Sequence, residues 1–314
     1  GLKYPIKQGA MVIAFGRDEQ LEALRARDVD VSAWISCHAP RGQGLFVSDG
    51  GERIIPVHRA ANIAAMWVWT GEFVAALTRR GRMPPMYQGF AVPGGRERLD
   101  RIGRGTKFHE QQPLPVAAGV GRRDFLKALR ADLAKVEAHE LPNVRAAAER
   151  IEQARGSGGA LYAFLHGHVI GATLDQPGDP GYLTTLNTSY LDVRKDVALK
   201  PGDVVFCVGY DQPFDGEWFR HFATHAREAG ATLIWSMTDY KPDLIAALPA
   251  EEIVINQHWA FGDAVVPLPG YDVKILPTSG VIAEAVVWMV HAEMLRMREP
   301  ATFDRAVGVN RPAR

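Results

Sequence analysis

Two side chains near the carboxyl end of the sequence combine acid–base groups with a helical spacing. Glu284 and His291 are seven residues apart in an apolar stretch that predicts a long helix. Seven residues make about two helical turns, so both side chains project from one face of the helix. Because a histidine titrates near neutral pH, it suits proton transfer to or from a ligand. A core or interface histidine that is satisfied by a hydrogen bond explains the same pattern.

A His-Gly-His motif follows a short apolar run that predicts a strand. If the strand continues through His166, Gly167 and His168, its alternation places both histidines on one side. Together they could bind a hydroxyl group, a phosphate or a metal ion. A turn that needs Gly167 for its backbone shape explains the motif equally well.

Thr278 and Ser279 stand directly before the apolar helix that carries Glu284 and His291. Hydroxyl groups and free backbone N–H groups at a helix N-terminus can hold an anion. A plain N-cap explains a serine or threonine at this place equally well.

Short apolar runs bounded by glycine alternate with helical patterns, and these elements must position the residues above. Such runs predict strands that are buried on both faces, and their alternation with helices is typical of α/β proteins. We therefore predict a doubly wound parallel sheet with helices on both faces. In the second half of the chain, the predicted strands are residues 160–165, 204–208, 232–236, 252–256 and 274–276, and the predicted helices are 123–137, 141–155, 214–229 and 281–298.

The chain contains a partial internal repeat, in which three anchors recur in the same order. Gly9 matches Gly202, Pro56 matches Pro277, and Trp67 matches Trp288. The repeat predicts a partial α/β unit at 1–88, a linker or arm rich in Gly, Pro and Arg at 89–120, a complete unit at 121–299 and a tail at 300–314. The partial unit lacks the opening helices and first strand, so an open sheet edge must be covered.

Composition limits the classes of partner. Lysine plus arginine and aspartate plus glutamate both number 36, so the formal net charge is zero. This balance removes the simple electrostatic argument for a nucleic acid or an anionic membrane as partner. Residues 60–77 approach membrane-spanning length, but Asn62 and Glu72 favour a buried helix. We expect a cytoplasmic protein without a membrane span, a cofactor or a bound metal.

The order of elements from residue 123 to 299 resembles the sugar isomerase (SIS) domain family. The parts that carry the resemblance are the helix at 143–155, the strand and turn at 161–168, the turn and strand at 200–205, the segment 229–234 and the Pro-Thr-Ser turn at 277–279. Residues 1–82 resemble part of the same domain. The resemblance implies a site for a phosphosugar or related carbohydrate derivative at the carboxyl ends of the strands, where open parallel sheets bind ligands.

Members of this family include aldose–ketose isomerases, a lyase acting on N-acetylmuramic acid phosphate and regulators that sense sugar phosphates. The resemblance implies that Glu284 and His291 act as acid and base, and that Tyr210 and Asp211 lie in a ligand-binding loop. That loop, residues 209–217, has three carboxylates and no serine or threonine, so it repels a phosphate. A neutral or amino sugar, a metal-bridged ligand and a decayed site therefore stay open.

The leading hypothesis is a carbohydrate-derivative-binding protein that, if it is an enzyme, is an aldose–ketose isomerase. One alternative is a non-catalytic sugar-sensing or structural protein. Another is a metal-dependent lyase or hydrolase built on the two histidines of the His-Gly-His motif. Pairing of the two long apolar helices, within or between chains, predicts a homodimer or higher homo-oligomer. The predicted ligand-binding residues are His166, Gly167, His168, Tyr210, Asp211, Thr278 and Ser279.

Overall fold

Helices and short strands alternate along the chain. The computed structural model describes residues 9–39, 44–47, 53–86, 88, 92, 94–102, 107–166, 174, 179–186, 197–209, 217–239, 242–260 and 262–306. In chain order the elements are β1 (Ile13–Gly16), α1 (Asp18–Arg25), β2 (Ala33–Ser36), β3 (Phe46–Val47), β4 (Arg53–Ile54), α2 (His58–Thr78), α3 (Gly95–Ile102), α4 (Val120–Gly156), β5 (Leu161–His166), β6 (Thr184–Leu186), β7 (Val204–Gly209), α5 (Glu217–Glu228), β8 (Thr232–Met237), α6 (Pro242–Ala246), β9 (Ile253–Asn256), β10 (Ala264–Val266), β11 (Ile275–Pro277), α7 (Ser279–Arg298) and α8 (Pro300–Ala306).

The main sheet has five described strands in the order β6-β5-β7-β8-β9, and every neighbouring pair is parallel. The first strand of this sheet in chain order is β5, which lies next to the edge strand β6. The chain then crosses to the other side of β5 and continues outward through β7, β8 and β9, as in a doubly wound fold. The predicted fold class is therefore confirmed. His166 is level with Gly209, and Met237 is level with Asn256, so the carboxyl ends of four strands meet at one edge.

Each face of the sheet packs against its own helices. Along β7, Val204, Phe206 and Val208 belong to the core beneath α4 and α7, whereas Val205 and Cys207 belong to the core beneath α5. This alternation follows from the two-residue period of a strand. Each large apolar side chain buried in this way contributes roughly 1.5–3 kcal/mol to folding. Burial on both faces of the sheet fixes the positions of the strand ends, where a ligand site is expected.

Helix α4 corrects one prediction from the sequence. The separate helices predicted at 123–137 and 141–155 are a single helix with Pro142 inside it. A proline within a helix removes one backbone hydrogen bond and costs about 3 kcal/mol. Val136 and Val144, on either side of Pro142, are almost completely buried in the same core. Burial of both halves against α7 and the sheet offsets the cost of the proline.

The N-terminal part adds a smaller set of elements. Strands β1 and β2 form a parallel pair, β3 and β4 form an antiparallel pair, and α2 packs against both α4 and α7. Helix α3 lies within the predicted linker, and α8 occupies the start of the predicted tail. Among the described helices, only α2 has the length and composition to cross a membrane. Its contacts with α4 and α7 instead match the predicted packing of two apolar helices, here within one chain.

Candidate functional site

Helix α7 starts beside two buried carboxylates. The hydroxyl of Thr278 donates to Asp132 Oδ2 at 3.1 Å, and the hydroxyl of Ser279 donates to Asp263. All four side chains are buried. Both hydroxyls therefore already satisfy acceptors inside the protein, and a phosphate here would meet two carboxylates. Ligand binding by Thr278 and Ser279 stays a prediction.

Glu284 lies on the buried face of α7, and the structure surrounds it with few hydrogen-bond donors. Its Oε1 accepts a hydrogen bond from Trp288 Nε1 at 2.8 Å, whereas its buried Oε2 has no hydrogen-bond partner among the described residues. Burial raises the pKa of Glu284 to about 7, although the Trp288 hydrogen bond and the Arg59 cation act in the opposite direction. Both the protonated and the ionised form of Glu284 are therefore accessible near neutral pH.

His291 continues the same face one turn beyond Trp288. The ring nitrogen Nδ1 donates to the carbonyl of Val287 at 2.8 Å, and the ring stacks on Tyr182 with 6.0 Å between centroids. Burial lowers the pKa of His291 to about 4, against the Val287 hydrogen bond and with help from nearby arginines. At neutral pH the imidazole is neutral, and its Nε2 is left as an acceptor.

An arginine from the N-terminal part reaches this face of α7. Arg59, in the first turn of α2, donates to Asp179 Oδ1 at 2.6 Å, and its guanidinium lies 5.3 Å from the centre of the Trp288 ring. Both partners of the ion pair are largely shielded from water. Arg59 is not predicted from the sequence, where its only signal is a cation in the first turn of a largely apolar helix. We call Arg59, Asp179, Glu284, Trp288 and His291 the α7 cluster.

Of the other predicted ligand residues, the structure describes only the backbone of His166. The backbone of His166 ends β5, beside the end of β7 at Gly209. The side chain of His166 and the whole of Gly167, His168, Tyr210 and Asp211 lie outside the described residues, so their roles stay predictions. Within the described part of the chain, no group of three or more His, Cys, Asp or Glu residues is arranged to hold a metal ion.

A buried polar layer lies beneath the ends of β7, β8 and β9. Gln257 is fully buried; its amide Nε2 donates to Ser236 Oγ at 3.0 Å and lies 3.5 Å from the carbonyl of Gly209. Its amide oxygen accepts from Trp259 Nε1 at 2.7 Å. These bonds link the ends of β7, β8 and β9. They also satisfy the buried amide of Gln257, which would cost free energy if it had no hydrogen-bond partners.

A second carboxylate–histidine pair lies next to this layer. Glu140 Oε1, from the middle of α4, lies 2.8 Å from His258 Nε2, which follows β9. Glu140 Oε2 accepts from the side chain of Asn143 at 2.8 Å and from the backbone N–H of Asn256 at 3.1 Å. The side chain of His258 is 20% exposed. We call Glu140, Asn143, Asn256 and His258 the strand-end cluster. It is not predicted from the sequence, because its carboxylate and histidine are 118 residues apart.

Comparisons with known proteins find phosphoheptose isomerases among the similar solved structures. The phosphoheptose isomerase GmhA from Neisseria gonorrhoeae is 15% identical, with a TM-score of 0.34, and the match covers 54% of this chain and 92% of that one. A phosphoheptose isomerase from Francisella tularensis is 13% identical, with a TM-score of 0.39, and the match covers 58% and 96%. No family model and no curated protein matches the chain. Similarities this low carry no argument about the function of this chain.

Proposed function

We propose that this protein binds a carbohydrate derivative and catalyses an aldose–ketose isomerisation through the α7 cluster. The proposal is based mainly on the environment of Glu284. Its carboxyl group is buried and has a pKa of about 7, and one of its oxygens has no hydrogen-bond partner among the described residues. His291 lies on the same face of the helix. A group with a pKa near the working pH is the best general acid or base. The resemblance of residues 123–299 to the SIS family supplies the substrate class.

The reaction needs one group that takes a proton from carbon and one that protonates oxygen. For an aldose, a base removes the proton on C2 while an acid protonates the C1 carbonyl oxygen, which gives an enediol. Loss of the O2 proton and protonation of C1 then give the ketose. At neutral pH, Glu284 can give or take a proton, whereas His291 can only accept one at Nε2. We therefore assign the proton-shuttling role to Glu284 and the acceptor role to His291.

The N-terminal part, in this proposal, is a partial copy of the second unit. Ile55 and Leu276, the starts of α2 and α7, and Trp67 and Trp288 share one sequence offset. Ile55 and Leu276 also have the same backbone φ of 63°, which is unusual for a β-branched or bulky residue. The domain limits 1–88, 89–120, 121–299 and 300–314, a cytoplasmic location and a homo-oligomeric state belong to the same proposal.

A non-catalytic sugar-binding or structural role is the second candidate, and one observation favours it. Glu284 and His291 are 0% and 1% exposed, and the hydroxyls of Thr278 and Ser279 are engaged by internal carboxylates. A substrate would therefore have to displace internal contacts. In this candidate the α7 cluster holds α2 against α7 and transfers no proton.

The two candidates differ in hydrogen exchange at the sugar. Aldose and ketose phosphates of five, six and seven carbons, and their dephosphorylated forms, are incubated with the protein in D₂O and followed by NMR. Isomerisation through an enediol places deuterium at C1 or C2, and Glu284→Gln abolishes this incorporation. Stabilisation of the protein by a sugar in a thermal-shift assay without deuterium incorporation favours the non-catalytic candidate. The absence of both effects for every sugar contradicts the proposed function.

A further inference from the structure

We propose that His258, held by Glu140, is a ligand-binding group at the carboxyl ends of β7, β8 and β9, and that its ligand is a hydroxyl group of a neutral or amino sugar. The inference rests on the carbohydrate binding proposed above, but it concerns different residues from the α7 cluster. These residues are not predicted as ligand-binding from the sequence, and they limit the ligand to a neutral or amino sugar.

The hydrogen bonds around Glu140 fix the orientation of the His258 ring. Glu140 receives two N–H donors at Oε2, from Asn143 and the backbone of Asn256, and its Oε1 faces His258 Nε2. A carboxylate so placed makes Nε2 the proton donor of that contact. The other ring nitrogen, Nδ1, is then the atom that remains for a ligand. A histidine whose second nitrogen is fixed by a carboxylate is oriented for binding or proton transfer.

The backbone of His258 is held in an unusual conformation. Its φ is +56°, in the left-handed region that non-glycine residues rarely adopt, and its N–H donates to Asn256 Oδ1 at 2.9 Å. The same Asn256 oxygen lies 3.3 Å from the backbone N of Asp239, at the end of β8. Such strain persists only where the surrounding structure enforces it. Here the side chain of Asn256 ties two strand ends together and sets the position of the His258 ring.

The charges near His258 favour a neutral or amino sugar over a phosphosugar. Glu140 supplies a carboxylate in contact with His258, and His139 places a second imidazole ring 5.6 Å from that of His258. Among the described residues, no lysine or arginine forms a hydrogen bond or an ion pair with Glu140 or His258. A phosphate would find no lysine or arginine held by these two residues, whereas a hydroxyl or ammonium group would find an acceptor at His258 Nδ1.

The experiment observes His258 directly in the full chain. Long-range ¹H–¹⁵N spectra of the ¹⁵N-labelled protein, with the ring signals assigned through His258→Gln, are recorded with glucosamine, glucosamine 6-phosphate or inorganic phosphate. We expect glucosamine to shift the ring signals of His258 in a saturable manner. Glucosamine binding should weaken about tenfold in His258→Gln, the loss of one good hydrogen bond. His225→Gln, in helix α5, is the matched histidine control and should bind as the wild type does.

The outcomes separate this inference from the proposed function. Sugar binding that leaves the His258 signals and the affinity of His258→Gln unchanged overturns the inference and leaves the isomerase proposal standing. Shifts caused equally by inorganic phosphate overturn the assignment to a neutral or amino sugar. Glucosamine binding at His258 without deuterium incorporation into any sugar supports this site and contradicts the isomerase. If His258→Gln folds poorly, His258→Asn supplies both the assignment of the ring signals and the affinity comparison.

Discussion

The two carboxylate–histidine pairs of this protein are built in opposite ways. In the α7 cluster both groups lie on one helix, bond to that helix, and are withdrawn from water. In the strand-end cluster the carboxylate and the histidine come from different elements, face each other at 2.8 Å, and leave the imidazole partly exposed. Burial shifts the protonation of the first pair, whereas hydrogen bonds orient the second. Spacing along the sequence therefore predicts which groups share a face, but not which groups contact each other.

Loss of the Glu284 carboxyl is the largest expected effect and the strongest test of the comparison. If the α7 cluster carries the chemistry, Glu284→Gln lowers kcat by about 10²–10⁴-fold, the usual contribution of a general acid or base. Glu140→Gln should change sugar binding far more than kcat, since the strand-end cluster is assigned to recognition. Deuterium incorporation measured for both variants checks the assignment. Equal losses of kcat in the two variants would remove the distinction between the clusters.

Removal of Arg59 should destabilise the protein strongly. Arg59→Ala removes a cation from the largely buried Asp179, and breaking a buried ion pair in this way costs about 3–5 kcal/mol. Arg155→Ala is the matched control: its ion pair with Glu152 lies at the surface on the arginine side, and exposed pairs contribute about 0–1 kcal/mol. Urea unfolding of both variants measures the difference. Similar losses in the two would mean that the α7 cluster does not depend on helix α2.

The α7 cluster should also give opposite pH dependences of stability. The pKa of Glu284 rises on folding from 4.5 to about 7, so the folded state holds more protons in this range and the free energy of unfolding falls as pH rises. The pKa of His291 falls on folding from 6.5 to about 4, so the unfolded state holds more protons and the free energy of unfolding rises with pH. Each effect amounts to ~3 kcal/mol, and they oppose each other between pH 4.5 and 6.5.

Single substitutions should reveal each of these slopes. Glu284→Gln removes the falling contribution of Glu284, so stability rises relative to the wild type from pH 4.5 to 7. His291→Gln removes the rising contribution of His291, so stability falls relative to the wild type from pH 4 to 6.5. Urea titrations at a series of pH values measure both. Curves parallel to that of the wild type would show that burial does not control either group.

The smallest expected effect comes from one donor of the strand-end cluster. Asn143→Ala removes the amide that donates to Glu140 and should cost about 1–2 kcal/mol, because the acceptor is a charged group in a buried position. Gln153→Ala, at an exposed position of the same helix, should change stability by less than about 0.5 kcal/mol. Chemical denaturation compares the two. If Asn143→Ala equals the control, the hydrogen bonds on Glu140 do not hold the second pair in place.

The sequence predicts the sheet better than the sites. Apolar runs and their glycine boundaries locate β7 and β8 to within a residue or two, since burial on both faces leaves a local signature. The sequence predicts two helices, at 123–137 and 141–155, where the structure has one, because a local rule does not include the burial of Val136 and Val144 on either side of Pro142. Glu284 and His291 were found from their spacing, but their pKa values depend on burial and on Arg59, which is distant in sequence.

The strand-end cluster shows the limit most clearly. Nothing near Glu140 in the sequence marks it as a partner of His258, and only the path of α4 past the end of β9 brings them together. A polar residue directly after a buried strand is a usable signal, because strand ends of parallel sheets meet at one edge. Applied to Asn256 and His258, this rule would have placed them at a candidate site but would not have supplied the carboxylate.

The ion pair between Arg59 and Asp179 has a consequence for dissecting the molecule. A fragment that begins at residue 121 would retain Asp179 and Glu284 but lose the guanidinium that lies beside them and the helix that shields them. The charges of Asp179 and Glu284 disfavour each other, and such a fragment would lack the Arg59 cation that opposes this effect. We therefore expect a fragment from residue 121 onward to be less stable than the full chain.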